Sequence, residues 1–213
     1  MKKQRLDGQQ TRRKLLAAAS EVFAQKGFWE TTNADICDKA EVNTASVNYH
    51  FGSKENLYVQ AWKYSFDESI LKHPLDGGVS PQATAEEKVQ GRIKSIIERV
   101  IDPHAYDFDI VHKEMASPTG LLTETIEQAI VPIENEFTRD LKELLGNDVS
   151  KKELKLCHMS IMSQCFGPML HLRHIHKDSP IAHPRDLRAD LKIEELTEHI
   201  IRFSLAGMKT YLK

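Results

Sequence analysis

The sequence predicts an all-α chain of about nine helices, a small N-terminal unit followed by a larger helical domain. Three observations predict it. Apolar residues recur at spacings of three and four along nearly every segment, and cap residues, Gly or Pro stand where those runs begin and end. No segment alternates apolar and polar residues for long enough to make a strand, and no internal repeat is visible.

From Thr11 to Gln25 the residues Leu15, Leu16, Ala19, Val22 and Phe23 follow the helical period, and Gly27 stands where a helix end wants a residue tolerant of positive φ. Thr32 caps the second helix, with Asp35 at its third position and Ala34, Ile36 and Ala40 as a short apolar stripe ending near Lys39 or Ala40. Asn43 caps a third, very short helix from Thr44 to about His50, and Ser53 opens a fourth over Lys54 to about Leu71. Pro74, Gly77, Gly78 and Pro81 mark His73 to Pro81 as a loop. Beyond it, Val89, Ile93, Ile96, Ile97 and Val100 mark a helix ended by Pro103, and Phe108, Val111 and Met115 mark one ended by Pro118. Leu121 to Leu145 forms a long helix with a kink expected at Pro132, Lys151 to His174 carries Gly167-Pro168 inside it, and Ile193 to Leu212 is the last. The expected domains are 1–54 and 55–213, linked by the helix of residues 53–71.

With 40% hydrophobic and 28% charged residues, 10 Gly and 8 Pro among 213, collagen-like, low-complexity and wholly disordered classes are excluded. The longest stretch without Asp, Glu, Lys or Arg, Leu156 to Leu172, carries His158, Ser160, Ser163, Gln164 and His171 and reads as a buried helix rather than a membrane span. No secretory apolar region follows the basic start, so a cytoplasmic location is expected. Cys37, Cys157 and Cys165 form no C-x-x-C and read as reduced core residues. The net charge of −2 hides an asymmetry: up to Tyr64, 10 basic residues face 7 acidic ones, and beyond it 19 face 24. Lys2, Lys3, Arg5, Arg12, Arg13 and Lys14 form a basic arm able to track phosphates.

The third helix carries the chemistry. It is too short to be stable alone, so its neighbours must hold it, as they hold the second helix of a helix-turn-helix. Thr44, Ala45, Asn48 and Tyr49 fall within about 140° of arc, while Val47 lies on the other side and faces the core with Phe51. A small, polar and aromatic outward face suits the DNA major groove. Thr44 and Asn48 can hydrogen-bond base edges, Ala45 permits close approach, and Tyr49 can meet a thymine methyl or a phosphate. Asn43, Ser46 and His50 flank that face, and Thr32, Asn33 and Lys54 offer donors to neighbouring phosphates.

Thr31-Thr32-Asn33-Ala34-Asp35-Ile36, Val42 to Phe51 and Gly52-Ser53-Lys54-Glu55-Asn56-Leu57 together resemble the DNA-binding domain of the TetR family of bacterial transcription regulators, over about residues 9–60. Glu41 stands where many members have Gly, and Asn48 where many have Tyr. His112-Lys113-Glu114-Met115-Ala116-Ser117-Pro118 and the closing Ile200 to Tyr211 resemble a CerR-type subgroup of that family. The resemblance implies a three-helix helix-turn-helix domain, dimerisation through the last two long helices and an effector cavity among the middle ones.

The dimer expectation also follows from the last helix, whose apolar coverage is too wide for one solvent face. Ile161, Cys165, Met169, Leu196, Ile200, Phe203, Gly207, Met208 and Tyr211 are the candidate interface of a homodimer. Phe108, His112, Met115, Phe137, Met162 and Phe166 are the candidate lining of a cavity for a small, largely apolar effector. The resulting expectation is a repressor of double-stranded DNA, released from a palindromic operator by that effector. Two rivals stand beside it. A metal-responsive regulator would use His171-x-x-His174-x-His176 near Cys165, but no carboxylate or Cys completes the spacing, so no metal and no cofactor are expected. A helical enzyme that does not bind DNA would need a nucleophile and base, and no G-x-S-x-G, H-E-x-x-H or phosphate-binding Gly-rich loop is present.

Overall fold

A computed structural model describes residues 2–169 and 192–211, with side chains from residue 8 onward and without that of Met169. Among the described residues there are nine α-helices, a closing 3-10 turn and no strand. They are α1 (Lys2–Glu30), α2 (Asn33–Ala40), α3 (Ala45–Phe51), α4 (Lys54–Lys72), α5 (Ala85–Ile101), α6 (Tyr106–Ala116), α7 (Thr123–Leu145), α8 (Lys151–Met169) and α9 (Ile193–Met208), then the turn Lys209–Tyr211. No described helix is long and apolar enough to cross a membrane.

The chain divides into two compact units, Met1–Leu71 with His104–Ala129, and Lys72–Pro103 with Ile130–Lys213. The expected boundary after residue 54 is therefore not where the compact units part: α6 packs on α1 and joins the N-terminal helices. In this first unit Leu15, Ala19 and Phe23 of α1, Ile36 and Cys37 of α2, Val47 of α3 and Leu57, Ala61 and Trp62 of α4 are all buried. The Ser20 hydroxyl lies 2.8 Å from the Ala61 carbonyl and ties α1 to α4. Gly27 breaks α1 at φ 79°, a left-handed backbone that favours glycine, and the Thr31 hydroxyl then donates to the Gly27 carbonyl at 2.6 Å. Glu41, where the family often has Gly, closes α2 at φ 55° and ψ 47° with its amide directed at the Asp38 and Cys37 carbonyls. A non-glycine residue holds this left-handed backbone at a strain cost of about 1 kcal/mol.

The second unit packs α5, the later part of α7, α8 and α9. Val89, Ile93 and Ile97 of α5, Phe137, Leu141 and Leu145 of α7, and Leu154, Cys157, Ile161 and Cys165 of α8 form one core with Ile200 and Met208 of α9. Arg92 on α5 pairs with Asp140 and, at 3.3 Å, with Glu136 on α7. The loop before α5 lies directly on that helix. A Cβ on Gly91 would stand 2.2 Å from the Asp76 carbonyl oxygen, and one on Gly77 2.3 Å from that of Gly91.

Two boundaries depart from expectation. α1 starts at Lys2 rather than Thr11, so the basic arm is continuous with the first helix, while α7 holds Pro132 inside a single helix. α9 ends at Met208 in a 3-10 turn instead of running to Leu212. His171, His174 and His176 lie outside the described residues.

Candidate nucleic-acid interface

α3 has the two faces that its sequence requires. Val47 and Phe51 are buried, Thr44, Ala45 and Asn48 are exposed, and Tyr49 is 84% exposed with its ring edge-on to His50 at 4.8 Å. Ser46 and His50 are half-buried at the margins. Thr44 does not use its side chain as a cap. The Asn43 side-chain oxygen instead accepts the Ala45 amide at 2.8 Å, leaving the Thr44 hydroxyl on the exposed face.

At the start of α2, Thr32 forms a complete capping box with Asp35. The Asp35 amide donates to the Thr32 hydroxyl oxygen at 3.1 Å, and the Thr32 amide to the Asp35 carboxylate at 2.9 Å. The Thr32 hydroxyl proton points to the same carboxylate at 2.8 Å, so the outward donors of this end are the first-turn backbone amides, beside a half-buried Asn33. The Lys26 ammonium at 2.7 Å and the Thr32 hydrogen bonds hold the Asp35 carboxyl down at about 2.

Two basic residues have partners within the domain. The Lys54 ammonium donates to the Phe28 carbonyl at 3.0 Å and the Thr31 carbonyl at 2.9 Å and sits 4.2 Å from the centre of the Phe28 ring. Its charge is directed into the domain. Arg12 stacks on Phe51 at 5.1 Å and bonds Gln60, so this part of the basic arm braces the domain.

A carboxylate junction between α4 and the turn after α6 has no signal in the sequence. Glu114 accepts the Tyr58 hydroxyl at 3.0 Å, the Thr119 amide at 2.8 Å and the Gly120 amide at 2.9 Å. Tyr58 is itself buried against Phe23 and Phe28, and burial together with the Glu114 charge pushes its phenol well above the usual range.

The six candidate effector residues divide three and three. Phe108 and His112 are half-buried on α6 and Met115 is 78% exposed there, whereas Phe137 is buried on α7 and Met162 and Phe166 are half-buried on α8. Met115 therefore encloses nothing by itself. A groove of about 460 Å³ in the first unit, bordered by α1, the end of α2 and Tyr106, contains none of the six. Two buried polar atoms on α4, Trp62 Nε1 and Ser65 Oγ, one turn apart, have no hydrogen-bond partner.

The nine candidate interface residues also separate. Ile161, Cys165, Ile200 and Met208 lie inside the core of a single chain. Leu196 is half-buried, Gly207 is exposed, Tyr211 is at the margin of exposure, and Phe203 is 61% exposed; the Met169 side chain lies outside the described residues. Leu156 and Met159 on α8, three positions apart and outside the nine candidates, are exposed apolar residues. Among the described residues no group of three or more His, Cys, Asp or Glu could hold a metal. Burial pushes the Cys165 thiol up to about 12.

Residues 15–61 match the family described as bacterial regulatory proteins, tetR family, and residues 85–208 match the C-terminal domain of the HTH-type transcriptional dual regulator CecR. The C-terminal likeness expected to be CerR-type is thus to CecR. CecR of Shigella flexneri is 27% identical over 161 residues, which is 71% of this chain and 72% of that protein. A TetR-like transcriptional regulator from Rhodococcus sp. RHA1 shares the fold with a TM-score of 0.68 at 14% identity, covering 93% of this chain and 96% of that one. AibR, solved in complex with isovaleryl coenzyme A and operator DNA, does so with a TM-score of 0.60 at 15% identity, covering 91% and 97%. The two matches together cover most of the chain, which belongs to the TetR family of bacterial regulatory proteins with a CecR-type C-terminal domain, and is a DNA-binding transcriptional regulator rather than an enzyme.

Proposed function

We propose that this chain acts in the cytoplasm as a homodimeric repressor that reads a palindromic operator and leaves it when a small molecule binds. The observation that carries the reading is the exposed face of α3. Thr44, Ala45, Asn48 and Tyr49 stand outward on a helix whose Val47 and Phe51 are fixed in the core. A rigidly held face of this chemistry reads base edges, while the first-turn amides of α2 at Asn33 flank it as phosphate donors. Two such faces related by a twofold read only a site of matching symmetry.

For the mate, Phe203, Tyr211, Gly207 and Leu196 at the C-terminal end of the chain supply an apolar strip, joined by Leu156 and Met159 on α8. For the effector, Phe137, Met162 and Phe166 are candidates within the second unit, and Phe108, His112 and Met115 are candidates within the first, where Trp62 and Ser65 add polar atoms in need of partners. A largely apolar molecule with at least one hydrogen-bond acceptor suits that set. AibR, with a coenzyme A ester and operator DNA in one structure, is a precedent for the pairing of ligand and operator. The effector releases DNA only as far as it prefers the non-binding arrangement, and a hundredfold release needs about 2.7 kcal/mol of preference.

Selection from a random duplex library with the full chain tests the reading. The expected result is a palindromic consensus bound by a dimer, with affinity falling steeply as salt rises. A strictly monomeric chain at micromolar concentration that selects no sequence contradicts it.

A further inference from the structure

We propose that residues 2–10 of α1 are a helical arm that lies on the phosphate backbone beside the bases read by α3, adding affinity for any duplex and no base preference. The proposal rests on the DNA-binding reading and goes beyond it, because this arm stands outside residues 15–61, the segment that matches the family's DNA-binding domain. No break separates arm from domain, since α1 is helical from Lys2 up to its non-helical point at Gly27. At a rise of 1.5 Å per residue the backbone from Lys2 to Arg12 extends about 15 Å.

The chemistry of one face changes along this helix. Leu15, Leu16, Ala19 and Phe23 fall within about 100° of arc and are buried in the first unit. Continued toward the N-terminus, the same arc takes in Arg12, Gly8 and Arg5. Arg12 marks the edge of the packed part. Its guanidinium lies 5.1 Å from the centre of the ring of Phe51, the last residue of α3, and bonds Gln60 of α4. Four residues earlier, a Cβ placed on Gly8 would meet nothing within 4 Å among the described residues. The face that packs on the domain therefore overhangs it beyond Arg12, next to the exit of the base-reading helix. Along residues 2–10 Lys2, Lys3 and Arg5 oppose only Asp7. A positive helix fixed beside a groove-reading face has the phosphate backbone as its complementary surface.

Neutralising the arm in the full chain, by Lys2→Gln with Lys3→Gln and Arg5→Gln, separates a phosphate contact from a solvated terminus. On the duplex that the native chain selects and on a random duplex, the slope of log affinity against log salt becomes shallower by about 0.9 for each cation engaged, up to about three per chain. Near 0.1 M salt the affinity falls by about tenfold for both duplexes, so their ratio is unchanged, and the hydroxyl-radical footprint narrows at its flanks. As a control for net charge, Lys151→Gln with Lys152→Gln and Lys155→Gln removes the same charge from exposed positions of α8 and keeps the native slope. If the arm and control variants share one slope, or the arm variant changes the ratio between the duplexes, the proposal is overturned.

The native chain supplies a measurement that depends on no variant. The backbone amides of residues 6–10 exchange more slowly on either duplex than in the free protein, and exchange there that DNA leaves unchanged overturns the arm. A native chain that binds both duplexes equally defeats the base-reading proposal instead, and the slope and the exchange still decide the arm. A chain that binds neither duplex at low salt defeats both.

Discussion

α3 and α9 each expose a large aromatic residue, Tyr49 at 84% and Phe203 at 61%, yet the two helices are built for different neighbours. On α3 the apolar residues Val47 and Phe51 are all inside, and what faces out is small, polar or, in Tyr49, carries a hydroxyl. On α9, Ile200 and Met208 are inside, but Phe203 is outside and Leu196, Ile201 and Leu205 are only partly covered. A face that is at ease in water and rich in hydrogen-bonding groups can read a hydrated polar surface. A face that leaves apolar area uncovered calls for a second apolar surface. The same periodic rule thus yields a polar exposed face in one region and an apolar exposed strip in the other, which fits the reader and the mate-binding surface proposed above.

The contrast can be broken first on α3 itself. Phe51→Ala is expected to lower stability by about 3 kcal/mol in urea unfolding, because it empties a closed core position. Tyr49→Ala is expected to change stability by less than about 0.5 kcal/mol while weakening duplex binding. Equal destabilisation by the two would remove the distinction between the faces. In the second unit, Gly91→Ala places a methyl 2.2 Å from the Asp76 carbonyl and is expected to cost about 1 to 3 kcal/mol by thermal denaturation.

A smaller effect sharpens the comparison on α9. Phe203→Glu adds charge where the single chain is already solvated, so the fold should survive with unchanged circular dichroism, whereas self-association measured by sedimentation equilibrium should weaken by about tenfold or more. Unchanged association would take Phe203 out of the interface. The smallest effect concerns acid. Asp35 is held near 2, below its ordinary 3.8, by Lys26 and the Thr32 bonds, so its contribution is complete above about pH 4 and is lost as pH falls toward 2. The stability difference between the native chain and Asp35→Asn should therefore be constant from pH 7 to 5 and shrink below 4, as followed by urea unfolding at each pH.

Much of this is legible in the sequence because it depends on local pattern. Val47 and Phe51, four residues apart, determine which way α3 faces, and Thr32 with Asp35 states where α2 begins. The contacts of Lys54 within the domain have no signal in the sequence, because its partners are backbone carbonyls, which every residue possesses. The Glu114–Tyr58 bond joins residues 56 positions apart through a single hydrogen bond, and the packing of α6 on α1 likewise has no local signature. On α9 the wide apolar coverage announces two buried sides without saying which arc one chain would use. Ile200 and Met208 are internal, and Phe203 is not. The proposed effector site is the least legible, since a pocket and a core draw on the same residue types.

We propose that the outward face of α3 reads bases, and the base-preference profile of its variants tests that claim most directly. Random-site selection is run with the native chain, Thr44→Ala and Asn48→Ala under one salt condition. Each variant is predicted to relax preference at a defined pair of twofold-related operator positions, at a cost of about 1 to 3 kcal/mol for each bidentate base interaction removed, and to keep the native profile elsewhere. Profiles indistinguishable from that of the native chain in both variants would contradict the claim.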